Sequence, residues 1–273
     1  ALFTHMRKFR LRADVELVEA GDDLEVIALS GSDVPALVTS PEDSAALEHD
    51  PRRAELGWRA IVPTGTVASH AFAQGWEEVP ESVYSIMRTL LGIAEGPDDF
   101  PSGDCLPLEA NLDIHRAISF QKGCYLGQEL TARTHYTGVV RKRLVPIVST
   151  RPGEMPLGGS LPPAVAHLPA WCHHPAAVAA LAEPNAIPDI VTPLSPVDSD
   201  VRLREDNSSV GKLRSSVAGA FGLALVRLEK VQGVAGGAGF ICAPAAQDGE
   251  NADADAAGGV PVELILPPWA SVT

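Results

Sequence analysis

Cys124 stands between two glycines in Lys122-Gly123-Cys124-Tyr125-Leu126-Gly127-Gln128-Glu129, in the most basic stretch of an acidic protein. Residues 122 to 143 hold five cations (Lys122, Arg133, Arg141, Lys142 and Arg143) against one carboxylate, Glu129, while the 273-residue chain carries a net charge of −14. The thiolate is the reactive form of cysteine, and nearby cations and a helix N-terminus favour it. The spacing predicts a helix start just after Cys124, and Gly123 and Gly127 keep the backbone permissive around the sulfur. A buried, inert thiol is the ordinary state of an isolated cysteine, and this setting argues against it here. Cys105, Cys172 and Cys242 lack such surroundings and are expected to be inert; the Cys172-His173-His174 run lies in proline-rich sequence and offers at most a stray metal contact.

A lone thiolate has two main uses. As a nucleophile it needs a histidine base, and His135, the nearest in sequence, would lie about three helical turns away. As a metal ligand it must share the metal with ligands from elsewhere, since the four cysteines form no Cys-x-x-Cys pair and no complete iron–sulfur motif. Glu109 is the other candidate: a carboxylate in the otherwise apolar phrase Leu106-Pro107-Leu108-Glu109-Ala110. It could accept two hydrogen bonds from a pterin-like ring, but a structural arginine is the favoured partner. Phosphate-binding glycine loops, the Gly-x-Ser-x-Gly elbow and His-Glu-x-x-His are missing from the sequence. The excess of 35 acidic over 21 basic residues argues against broad nucleic-acid binding. No apolar run approaches the roughly 20 residues of a membrane span, and widely spaced cysteines point to a reducing compartment.

The elements that must position these residues read as α+β, with an all-β fold as the second choice. Leu11 to Leu17 alternates apolar and polar residues, and with Leu24–Leu29 it predicts a hairpin over residues 10–30. Residues 31–55 read as loops and short helices, and 57–62 as a strand stopped by Pro63. Pro80 to Leu91 has a proline at its first turn and Val83, Ile86, Met87, Leu90 and Leu91 on one face, which predicts a helix. A short helix over 127–135 and a strand over 139–148 follow. Residues 151–198 are rich in proline and alanine and read as a partly disordered insertion; 245–259 read as an acidic loop. Strands near 210–215, 221–228 and 260–266 suggest a small C-terminal barrel or sandwich. The chain opens Ala1-Leu2-Phe3, read as a removed leader or a start inside a longer product.

The phrases Leu106–Leu112 and Ser119–Glu129 closely resemble the YgfZ, folate-binding-like family, relatives of the glycine-cleavage aminomethyltransferase. The family hallmark, Lys-Gly-Cys-Tyr/Phe-x-Gly-Gln-Glu, is present at every fixed position over 122–129. The continuation through Arg141-Lys142-Arg143 is similar to the mitochondrial branch. Weaker likenesses lie at 10–19, 50–59, 210–214 and 222–226. The resemblance implies a folate-binding-like α+β region over 1–143, N-terminally incomplete, and a C-terminal β-barrel over 144–273 interrupted by the insertion at about 151–198. It implies an iron–sulfur cluster assembly factor for [4Fe-4S] proteins of the mitochondrial matrix, working with A-type carriers and client apoproteins. Cys124 matches the cysteine that ligates a shared [2Fe-2S] or [4Fe-4S] cluster. Glu109 matches a folate-contacting glutamate, with tetrahydrofolate as a ligand by kinship. Docking is expected over Lys122, Tyr125, Gln128, Glu129, Arg133, His135, Arg141, Lys142 and Arg143. A folate-dependent one-carbon transferase and an interaction module with a redox-sensing cysteine are the competing functions.

Overall fold

The computed structural model describes residues 2–31, 47–70, 75–101, 103–149, 167–182, 194–232, 234, 239–243 and 259–270. They fall into two units, one of residues 1–49 and 57–77, the other of 50–56 and 78–273.

The first unit holds helix α1 (Leu2–Phe9) and strands β1 (Leu24–Leu29), β2 (Leu47–His49) and β3 (Trp58–Pro63). The strands form an antiparallel sheet in the order β1-β3-β2, with Val26 opposite Ile61 and Leu47 opposite Ala60. Leu29, Leu47, Ala60 and Val62 make its small core. Gly57 is obligatory: its φ is +77°, and a Cβ there would sit 2.1 Å from the carbonyl oxygen of Leu29. The predicted 10–30 hairpin does not form. β1 pairs with β3 instead, and Leu11 lies 85% exposed with a φ of +46°. The alternation over 11–17 supplied a pattern without burial to reward it, and burial is what sets strand register.

In the second unit, α2 (Glu81–Leu90) follows the predicted spacing. Pro80 starts it with a φ of −57°, and Gly92, in the left-handed region at +72°, ends it. Val83, Ile86, Met87 and Leu90 are buried on one face, with Leu91 and Ile93 continuing the same core. Helix α3 (Gln128–Thr137) precedes the barrel. Six strands close that barrel: β4 (Lys142–Ser149), β5 (Asp200–Leu203), β6 (Ser209–Val217), β7 (Phe221–Arg227), β8 (Phe240–Ala243) and β9 (Val260–Leu264), in the order β4-β7-β6-β5-β8-β9. Val145, Ile147, Val201, Leu213, Val226, Cys242 and Val262 fill it.

The insertion differs from its expected form where it is described. Residues 167–182 make a tight turn and helix α4 (Pro175–Ala182). Leu168, Cys172, Ala177, Ala180 and Leu181 are buried in the core that contains α2. Residues 150–166, 183–193 and most of the predicted acidic loop lie outside the described residues.

Candidate functional site

The local fold around Cys124 follows from two short-range features. Gly127 caps α3 with a φ of +83°, a conformation that strongly favours glycine. Gln128 then closes the preceding turn twice: its N–H donates to the Tyr125 carbonyl, and its Oε1 accepts the Tyr125 N–H, both at 3.2 Å. Cys124 is thereby held on an exposed turn immediately ahead of the helix. A Cβ added at Gly123, the residue before the cysteine, meets nothing within 4 Å.

Several expected docking residues are engaged locally. The Lys122 ammonium lies 4.7 Å from the Tyr125 ring centroid. Arg133 pairs with Glu129 at 2.6 Å, four residues apart on the helix, with both side chains mostly in solvent. His135 stacks on Phe120 with ring centroids 3.6 Å apart and planes 9° apart, and Tyr136 meets both rings edge-on. Arg141 is exposed and Lys142 half-buried.

Arg143 departs from the expected surface. It is 7% exposed and makes a fork to Asp113, both N–H···O distances 2.9 Å, while Nη1 also donates to the Leu108 carbonyl. Burial opposes ionisation of Asp113, but the hydrogen bonds from Arg143 outweigh it and hold the carboxyl below the usual carboxylate range. Arg143 therefore joins the 106–116 turn to the barrel and is not available for docking.

Glu109 lies in a separate place. It lines a cleft of about 230 Å³ with Asp99, Asp104, Cys105, Leu106 and Arg214, and no residue from 119 to 143 contributes to it. The structural arginine expected for Glu109 goes to Asp113, four residues on; no ion pair reaches the Glu109 carboxylate among the described residues. Arg214, on the cleft wall, pairs with Asp104 at 2.8 Å and Asp198 at 3.3 Å.

The other thiols are inert by environment. Burial pushes Cys172 up to about 12 and Cys242 up to about 11, and it raises Cys105 against the pull of Arg214. His174 makes a contact of 3.1 Å with Glu263, and no cluster of three or more metal-ligating side chains occurs among the described residues. No helix among them is long and apolar enough to cross a membrane.

Sequence reasoning missed Asp113, Asn111 and Phe120. Asn111, at a φ of +62° and fully buried, donates to the carbonyls of Gly92 and Leu144 and pins the 106–116 turn to β4. The signal for Asp113 was present, since it is the second carboxylate of the same apolar phrase.

Residues 141–272 match the family described as the C-terminal β-barrel domain of CAF17. The mitochondrial iron–sulfur cluster assembly factor IBA57 homologue of Mycosarcoma maydis is 36% identical over 235 residues, 85% of this chain and 53% of that protein. The Homo sapiens IBA57 assembly factor is 39% identical over 175 residues, 59% of this chain and 45% of its own. The Neosartorya fischeri homologue is 31% identical over 296 aligned positions, 98% of this chain and 61% of that protein. The chain thus spans about half the length of the curated relatives it matches.

Proposed function

We propose that this chain, a homologue of the mitochondrial iron–sulfur cluster assembly factors with a barrel of the CAF17 C-terminal type, is itself an assembly factor of the mitochondrial matrix. Its work is the maturation of [4Fe-4S] proteins, and its cargo is a [2Fe-2S] or nascent [4Fe-4S] cluster shared with an A-type carrier. The observation that carries this reading is the exposed Cys124 on a turn held by Gly127 and Gln128.

The chemistry asked of this chain is ligand exchange. The Cys124 thiol gives its proton to solvent, and the sulfur forms a bond to iron with no change in oxidation state. One thiolate completes a coordination sphere but cannot hold a cluster alone. In this reading the other ligands are the carrier's, and no group of three or more metal-ligating side chains occurs among the described residues. A nucleophilic role is less well supported, because it needs a histidine hydrogen-bonded to the thiol, and His135, the nearest in sequence, lies eleven residues on and stacks on Phe120.

Anaerobic co-purification with an A-type carrier tests the assignment. The wild type is expected to retain iron and visible iron–sulfur absorbance in the complex, and Cys124→Ser to lose both with an unchanged fold. Equal absorbance in the mutant complex refutes the role of Cys124. Calorimetric titration with tetrahydrofolate, wild type against Glu109→Gln, checks whether folate binds at Glu109, which lines its own cleft.

A further inference from the structure

Helix α1 belongs to the unit that does not hold Cys124, and no residue from 3 to 20 is buried. An eight-residue helix is marginal in water unless an apolar face is packed. Phe3, Met6 and Phe9 recur at every third position and share one side of α1. Yet Met6 is 47% and Phe9 65% exposed, and Leu11 beyond them stands almost wholly in solvent.

Charge indicates what covers this stripe. Arg7, Lys8, Arg10 and Arg12 stand within six residues, with no carboxylate before Asp14, on a chain whose net charge is −14. None of the four makes an ion pair among the described residues. Polar groups border the stripe on both sides. The Arg7 guanidinium lies 5.5 Å from the Phe3 ring centroid, and the His5 ring centroid lies 4.7 Å from that of Phe9. Thr4 and Lys8 fall on the opposite side of the helix. An apolar stripe between cations is the distribution of a helix lying in the plane of an anionic interface. The same pattern continues through Arg10-Leu11-Arg12, where the helix has given way to a turn. A groove shaped to a helix does not reach that turn, whereas a lipid surface does.

We propose that α1 and the Arg10–Arg12 turn dock the protein on an anionic lipid bilayer, lying on its surface without crossing it. Phe3, Met6, Phe9 and Leu11 enter the acyl boundary. Arg7, Arg10 and Arg12 meet phosphate headgroups, and Lys8 adds to the attraction. The remaining chain is strongly acidic and is repelled by the same surface, so docking is reversible and salt-sensitive. None of this depends on the chemistry of Cys124.

The test is co-sedimentation of the full chain with vesicles of phosphatidylcholine alone, or with roughly one lipid in three replaced by phosphatidylglycerol. The wild type is expected to bind the anionic vesicles about tenfold or more tightly than the neutral ones. Raising salt from about 0.05 to 0.5 M, which shortens the screening length several-fold, is expected to release it. Met6→Gln combined with Phe9→Gln keeps helix propensity. It is expected to weaken binding to anionic vesicles about tenfold with an unchanged melting temperature, since neither side chain is buried. Leu11→Asn provides a second variant outside the helix, at a φ of +46° that asparagine tolerates, and is expected to weaken binding several-fold. Arg7→Gln combined with Arg10→Gln is expected to weaken it about tenfold through charge. Any of four results overturns the proposal. The wild type fails to bind anionic vesicles. The apolar variants or the arginine variant bind them as the wild type does. The protein binds poly-glutamate more tightly than vesicles with the same dependence on Met6 and Phe9, so that an acidic polypeptide is the occupant. A lipid-free homodimer forms that the Met6 and Phe9 changes dissolve, so that a second copy covers the stripe.

Discussion

Arg141 and Arg143 are two residues apart, and in the sequence they look alike, yet one faces solvent and the other holds the fold together. Removing one member of a buried ion pair leaves the other charge uncompensated and costs about 3–5 kcal/mol. Arg143→Ala is expected to lower stability by about 3 kcal/mol in urea unfolding, whereas Arg141→Ala changes it by less than about 0.5 kcal/mol. The pair also sets an acid limit. Asp113 has a folded pKa below its unfolded one, so its contribution is present above pH ~4 and is lost as pH falls through the depressed folded value. A stability-versus-pH series should show that loss in the wild type and a flatter profile below pH ~4 in Arg143→Met. The thiols divide just as sharply. Iodoacetamide is expected to label Cys124 in the native protein and to leave Cys172 and Cys242 unlabelled until urea unfolds it, as peptide mass spectrometry would show.

At the scale of elements, legibility followed burial. α2 was readable because a proline start, an apolar stripe and a glycine stop all coincide with its buried face. The Leu11–Leu17 alternation misled because period two is only a pattern until another strand and a core accept it. α4 was read as loop because an alanine-rich helix buried in the core carries no polar–apolar period to detect. Its packing yields a prediction that a linker would not: Leu181→Ala should cost about 2–4 kcal/mol in denaturant unfolding. The end of α2 carries another. The Gly92 carbonyl accepts the Asn111 amide and lies 3.1 Å from His115 Nε2, and burial lowers the pKa of His115. A histidine whose folded pKa is depressed destabilises the fold as pH drops below its unfolded value near 6.5, because only the unfolded chain then gains the proton. Thermal melts between pH 7.5 and 5 should fall accordingly, and His115→Gln should reduce the slope.

For the whole molecule, the sequence revealed which atom could do chemistry but not what surrounds it. The glycine-flanked cysteine motif is short, local and chemically specific, so it was legible without a fold. Which cations remain free was not, because Arg143 is claimed by Asp113 thirty residues away, and only the barrel brings the two together. Nor could the sequence tell that Glu109 lines a cleft of its own, to which no residue of the cysteine turn or its helix contributes.

Barrel closure places β4 beside β9, joining Ile147 to Leu264 across more than a hundred intervening residues. A growing polypeptide therefore displays the cysteine turn long before the strand that seals the barrel has been made. During that interval β4 presents apolar residues and an unpaired edge, the state most prone to misassociation. A chain halted by a premature stop before Val260 would keep its cysteine turn but lose its closing strand. It would be expected to reach the degradation machinery rather than its workplace.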